Sequence, residues 1–267
     1  MKKYFYFVAE GQHDIAFLVK LLMESFELEI IQYFSDLDSF WEHLIPRTFP
    51  PKDGDFVKRI PIPQFLQNEN LSIALHSANG IEQITNTLEE SLAVIDDLSL
   101  LFGIALILDA DQKEKPSERF DRLIQELSAK PELSKKLDFV DFKALKLGEV
   151  EKNDKKFGVF IIPNNKDSGT LEEILIECAK MNYTDLHRLA ESYIASVDLT
   201  SLGKKDRKEF KKPAGKNKAI VSSISSVLKP GKAIQVSIKD NCWIDSQTLK
   251  LENIALIREF IAKILGI

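Results

Sequence analysis

Cysteine is nearly absent: Cys178 and Cys242 are the only two in 267 residues, and no CxxC pair occurs. They are too few to staple a chain of this length and lack the spacing of a zinc site, so they read as ordinary thiols of a cytoplasmic protein. Long apolar runs are missing too. LSLLFGIALIL, the longest, is about half of what a membrane-spanning helix needs. The N-terminal MKKYFYFVAE is interrupted by Glu10 before a signal-peptide core is complete. Neither membrane insertion nor export is expected. An excess of positive charge is lacking as well. The formal net charge is −5, so the chain as a whole does not advertise itself as a polyanion binder. Neither GxxxxGKS/T nor a GxGxxG at a strand end is found, which disfavours a P-loop or a dinucleotide fold.

What remains, 44% hydrophobic and 29% charged residues, is the composition of a globular protein with helices and strands. The length suits one large domain or a core with an appendage. Lys3 to Ala9 is aromatic and β-branched, and Ile15, Leu18, Val19, Leu22 and Phe26 then recur at helical spacing: strand, turn, helix. LSIALHSANG followed by Ile81, Ile84, Leu88, Leu92 and Ile95 repeats the unit. FGIALILDAD is the continuous apolar run of a strand buried on both faces, and SERFDRLIQELS predicts a helix capped by Ser117. KFGVFIIPNN and SGTLEEILIECAKM make a fourth pair. Strand–helix units in succession predict an α/β fold, a parallel sheet with helices on both faces.

Two stretches depart from the alternation. Residues 31 to 70 contain IPRTFPPKDGDFVKRIPIPQF, with five prolines and little periodicity, and are expected to form an irregular insertion packed on the core through Phe49, Phe56 and Phe65. From residue 181 to 267 the chain reads as a mainly helical C-terminal extension packed on a core of residues 1–180. It carries the basic stretch GKKDRKEFKKPAGKNK and a last helix with Ile254, Ile257, Ile261 and Ile264 on one face.

In an open parallel sheet, ligands bind beyond the carboxyl ends of the strands, where loops converge. Glu10, Asp109 and Asp111 all fall at such ends. If the chain stays extended there, Asp109 and Asp111 project to one side, and Gly11 lets the backbone turn tightly into the first helix. Three carboxylates brought together repel unless a cation or proton compensates. Magnesium or manganese suits an all-oxygen set whose waters a phosphate can replace, and a carboxylate held near the metal, Glu10, suits a general acid or base. Glu172 and Glu173 follow Ser168-Gly169-Thr170, so one of them is expected to serve the helix N-terminus. His13 reads as a capping or solvated turn residue and His76 as a satisfied strand residue.

The order of features resembles the Toprim fold of type I and II topoisomerases, bacterial primases, OLD-family nucleases and the recombination mediator RecR. It consists of a strand ending in Glu-Gly, a second ending near a glycine and a third ending in Asp-x-Asp. More closely, AEGQHD, ILDADQ, IIPNNKDSGTLEEIL and KPGKAIQVSIKDNCWID are similar to an uncharacterised family of Toprim-like bacterial proteins. The resemblance covers residues 1 to 180, with the proline-rich insertion as an addition. It implies that Glu10 matches the catalytic glutamate, Asp109 and Asp111 the metal-binding pair and Glu172 a further acid, with Asp14 as a weaker candidate. No topoisomerase tyrosine motif or primase zinc module is identified, which sets those two activities aside.

Between residues 201 and 232, ten lysines and arginines face only Asp206 and Glu209. Lys204, Lys205, Arg207, Lys208, Lys211, Lys212, Lys216 and Lys218 are candidates for contacting DNA or RNA phosphates, with a solvated loop as the equal alternative. Three functions compete. The first is a magnesium-dependent, nuclease-like enzyme acting on nucleic acid. The second is a non-catalytic module binding nucleic acid or protein. The third and weakest is a small-molecule phosphohydrolase, since DADQ is faintly similar to the Asp-x-Asp of haloacid-dehalogenase phosphatases.

Overall fold

The computed structural model describes residues 2–47, 62–112, 114–151 and 154–267. Among the described residues six strands form one sheet: β1 (Lys3–Ala9), β2 (Glu29–Ile30), β3 (Gln64–Gln67), β4 (Leu71–Ser77), β5 (Leu101–Asp109) and β6 (Lys156–Ile162), in the order β2-β3-β4-β1-β5-β6. The four long strands β4, β1, β5 and β6 are parallel. The expected parallel α/β core is present. The short strands β2 and β3 extend it antiparallel along one edge, Phe65 facing Ala74 and Ile30 facing Leu66.

Alternation along the strands builds two layers. Phe5, Phe7 and Ala9 of β1, with Ala105 and Ile107 of β5, face one core. Tyr6 and Val8, with Ile104, Leu106 and Leu108, face the other. The first core is covered by α1 (Gln12–Phe26), α5 (Leu171–Asn182), α6 (Thr184–Ser196), α7 (Gly215–Leu228), α8 (Ile234–Asp240) and α9 (Glu252–Leu265). The second is covered by α2 (Ile84–Val94), α3 (Pro116–Ser128) and α4 (Pro131–Lys136). Residues beyond 181 therefore supply much of one layer. Helix α9 lies on β5 and β6, α8 packs on α1, and the expected stripe Ile254, Ile257, Ile261 and Ile264 is fully buried. Trp243 anchors this layer, its indole N–H donating to Ser237 Oγ at 3.0 Å.

The stretch 31–70 is less irregular than its prolines suggest. Its described part holds 3-10 turns at Phe34–Asp36 and Ser39–Leu44 and all of β3. Phe65 packs on the core as expected. Phe49 and Phe56 lie outside the described residues. The larger anchor is Trp41, fully buried, with its indole N–H on Ser72 Oγ at 2.8 Å. Ser117 is not a cap. Helix α3 starts two residues earlier, at Pro116, whose missing N–H is unneeded in a first turn, and Lys115 is the capping position.

Candidate functional site

Strands β1 and β5 are neighbours, but the chain leaves β1 into α1 on one face of the sheet and leaves β5 into α3 on the other. The helices diverge, and a crevice opens at the carboxyl ends of these two strands, the place where open α/β sheets bind ligands. Glu10 ends β1 and Asp109 ends β5. They line one cleft of about 620 Å³ together with Asp111, Arg119, Thr170 and, from the C-terminal layer, Phe210, Lys212 and Lys218.

Strand parity separates the acids. Asp109 continues the alternation of Ala105 and Ile107 toward α1 and α5. There its Oδ1 accepts the Leu171 N–H at the start of α5, 3.0 Å away. Burial raises its pKa well above the usual carboxylate range, and Asp14, Glu10 and Glu172 add to the rise. Asp14, one turn into α1, accepts the Gly11 N–H at 2.7 Å. Burial, then Glu10 and Glu172, push its pKa up to about 7. Glu10 belongs to the side of Tyr6 and Val8 and faces α3, where its Oε2 lies 3.7 Å from Arg119. That oxygen is buried and accepts no hydrogen bond. Burial raises the Glu10 pKa, against the pull of Arg119 and then Lys218.

The structure thus brings Glu10, Asp14, Asp109 and Glu172 into one electrostatic cluster and leaves Asp111 at its rim. Asp111 is exposed, with φ +61°, so the backbone is no longer extended there and the two aspartates do not share a strand face. Its carbonyl instead accepts the Gly169 N–H at 3.2 Å, pinning the loop before α5. Gly11 also acts otherwise than expected. Its φ of −138° is open to any residue; what favours glycine is the Asp14 carboxylate, 3.3 Å from where a Cβ would stand.

Glu172 and Glu173 divide the roles the sequence left open. Glu173 serves the helix start, accepting the Thr170 N–H at 2.7 Å. It also accepts the side-chain amides of Gln112 and Asn217, both at 2.9 Å. This one carboxylate ties the β5 loop, α5 and α7 together. Glu172 is buried, its Oε2 2.7 Å from the Thr170 hydroxyl. His13, beside the cluster, has its pKa lowered by burial, with Lys218 adding to the drop and Glu172 opposing it. His76 is a satisfied strand residue as expected, its Nδ1 2.7 Å from the Tyr6 hydroxyl of the neighbouring strand.

The basic stretch splits in two. Lys212 and Lys218 line the cleft. Lys204, Lys205, Lys208, Lys211 and Lys216 are exposed and Arg207 is half-buried, and none of the six lines it. The wall that Lys212 and Lys218 belong to depends on Gly215 at the start of α7: a Cβ there would meet the carbonyl oxygens of Phe210 and Glu209 at 2.3 and 2.6 Å. Gly215→Ala must displace one of these backbones, a strain of about 1–3 kcal/mol. A thermal melt several degrees below the unaltered protein is expected, and an unchanged melt would show that the turn yields freely.

Sequence reasoning missed Arg119. Its side chain is 8% exposed and its Nε–H donates to Glu114 at 3.1 Å. The signal was its place one turn into the helix that follows the Asp-x-Asp strand, the turn that faces the crevice. Among the described residues no three His, Cys, Asp or Glu side chains are spaced to hold a metal ion. The donor set still fits magnesium in kind, because that ion takes one or two carboxylates and completes its shell with water and substrate oxygens. The unpartnered Glu10 oxygen is the orphan such a shell would satisfy.

Fold and cleft together define an α/β protein with a carboxylate cluster at the switch point of its sheet. The chain belongs to the family described as "Protein of unknown function (DUF3226)", which matches residues 6–261. It is similar in fold to a hypothetical protein from Pyrococcus horikoshii OT3 known from a crystal structure. The identity is 16%, the TM-score 0.52, and the match covers 98% of this chain and 95% of that one. No curated protein matches. Among the described residues no helix is long and apolar enough to cross a membrane.

Proposed function

We propose that this is a Toprim-like, magnesium-dependent protein that processes phosphodiester bonds in nucleic acid. The observation that supports it most is the meeting of Glu10 and Asp109 at the crevice between β1 and β5, with lysines of the C-terminal layer on the opposite wall. Asp109 and Asp111 would hold the ion, which would neutralise charge on a phosphoryl oxygen and polarise it. Glu10 is the acid–base residue. Burial favours its protonated form, so it is suited to give a proton to a departing oxygen. Lys204, Lys205, Lys208, Lys211, Lys212, Lys216 and Lys218 would contact phosphates of the strand, and Arg207 would assist from its half-buried position. Two free thiols, one of them exposed, suit the reducing cytoplasm.

The test is turnover of single- and double-stranded DNA and RNA with magnesium or manganese. Glu10→Gln and Asp109→Asn are each expected to lose about 100-fold or more, the usual contribution of a positioned acid or base. Turnover that survives either substitution would refute this assignment. The second reading is a non-catalytic module binding nucleic acid or protein, favoured by the lack of a ready three-ligand group among the described residues. It predicts binding without turnover in the unaltered protein.

A further inference from the structure

Arg119 is a buried cation whose hydrogen-bonding capacity is largely unspent. A guanidinium carries five N–H donors. Glu114 takes the one on Nε at 3.1 Å, and Nη1 lies 3.7 Å from Glu10, beyond hydrogen-bond reach. No residue among those described accepts from Nη1 or Nη2. Arg119 lines the cleft, and neither nitrogen is among the sealed, unpartnered polar atoms of the described residues. Arg119 pairs with Glu114 through its Nε edge alone. Arg122 shows the contrast, closing on Glu114 with both terminal nitrogens, at 2.8 and 2.9 Å. Glu114, held from that side, fixes the Nε edge of Arg119 and aims the remaining fork into the cleft.

We propose that Arg119 is the phosphoryl receptor of the site, taking two non-bridging oxygens of a substrate phosphate on Nη1 and Nη2. The planar fork matches two oxygens of one phosphorus, and charge-assisted pairs of this kind are among the stronger hydrogen bonds in proteins. Lys218, on the same cleft, supplies a second positive charge without that directionality. The ligand is thus an anion with paired oxygens on one centre, a phosphoryl group, whether it belongs to a nucleotide or to a strand. Taking the ligand as phosphoryl rests on the function proposed above, but the receptor's role needs neither a metal nor turnover.

The experiment uses the full chain in a chelator, with inorganic phosphate and pyrophosphate as probes. Phenylglyoxal, which modifies free guanidinium groups, is followed by peptide mass spectrometry. Phosphate is expected to slow modification of Arg119 while that of Arg122, outside the cleft, stays unchanged. In calorimetry, Arg119→Gln and Arg119→Lys are each expected to weaken pyrophosphate binding by about 10-fold or more, the worth of charged hydrogen bonds lost. Arg188→Ala, exposed on α6 and outside the cleft lining, should bind as the unaltered protein does.

Modification of Arg119 that ignores both probes would overturn the proposal, as would unaltered pyrophosphate binding in Arg119→Gln. Should a variant fail to fold, the protection result on the unaltered chain decides alone. Protection without any phosphodiester turnover would sink the catalytic reading and leave this one. Turnover that requires Glu10, with no protection, would do the reverse.

Discussion

Asp14→Asn raises the melting temperature of the metal-free protein at pH 8 and leaves it unchanged near pH 3. Burial, then Glu10 and Glu172, lift the Asp14 carboxyl from 3.8 to about 7 in the folded protein. A raised carboxyl pKa means that the folded chain holds a proton the unfolded chain releases earlier. Below about pH 4 both states are protonated and the group takes nothing from stability. Between pH 4 and 7 the unfolded state gains progressively. Above 7 the penalty is complete, on the order of 4 kcal/mol at about 1.4 kcal/mol per pH unit. Neutral asparagine removes it while its side-chain oxygen still accepts the Gly11 N–H, now bonded at 2.7 Å. Because neighbouring acids share the titration, a gain of roughly 5–10 °C is expected at pH 8. Melts across pH 3 to 8 check it. A gain independent of pH, or a loss at pH 8, would show that the cluster does not hold its proton there.

Trp243→Ala is expected to lower stability by about 3–5 kcal/mol, the range for removing a buried tryptophan. The indole is fully buried, meets Tyr183 edge-on at 5.6 Å between ring centres, and donates to Ser237. It sits in the core that also contains β1, β5 and α1. Loss should therefore move the entire unfolding transition down by roughly 10 °C. Scanning calorimetry tests this. A second transition, moving while the first stays put, would make residues 181–267 an independent unit instead of a layer of the same core.

Much of the fold is legible in the chain because each long strand keeps one periodicity and each following helix another. Lys3–Ala9 reads as a strand by its aromatic and β-branched residues, and Leu101–Asp109 reads as one buried on both faces by its continuous apolar run. Strand β3 was not legible. Four residues among prolines carry too little pattern to distinguish an edge strand from a loop, and their strand state comes from pairing with β4. The site was legible in its acids at strand ends, Glu10 and Asp109. Asp14 reads as a weaker candidate because a carboxylate in a first helical turn ordinarily faces water, whereas here α8 packs against that helix. Asp111 reads as a partner of Asp109 only if the backbone stays extended, a condition its positive φ removes.

By itself, the sequence determined the four long strands and the helices that follow them, the parallel core and the positions where carboxylates end strands, because these follow from local periodicity and from where apolar runs stop. Tertiary structure alone decided that Glu10, Asp109 and Glu172 meet and that Arg119, Lys212 and Lys218 wall the cleft. Those outcomes depend on contacts between residues tens to more than two hundred positions apart. Strand order sets them, through the divergence of α1 and α3 from neighbouring strands, and no local pattern in the chain encodes that order.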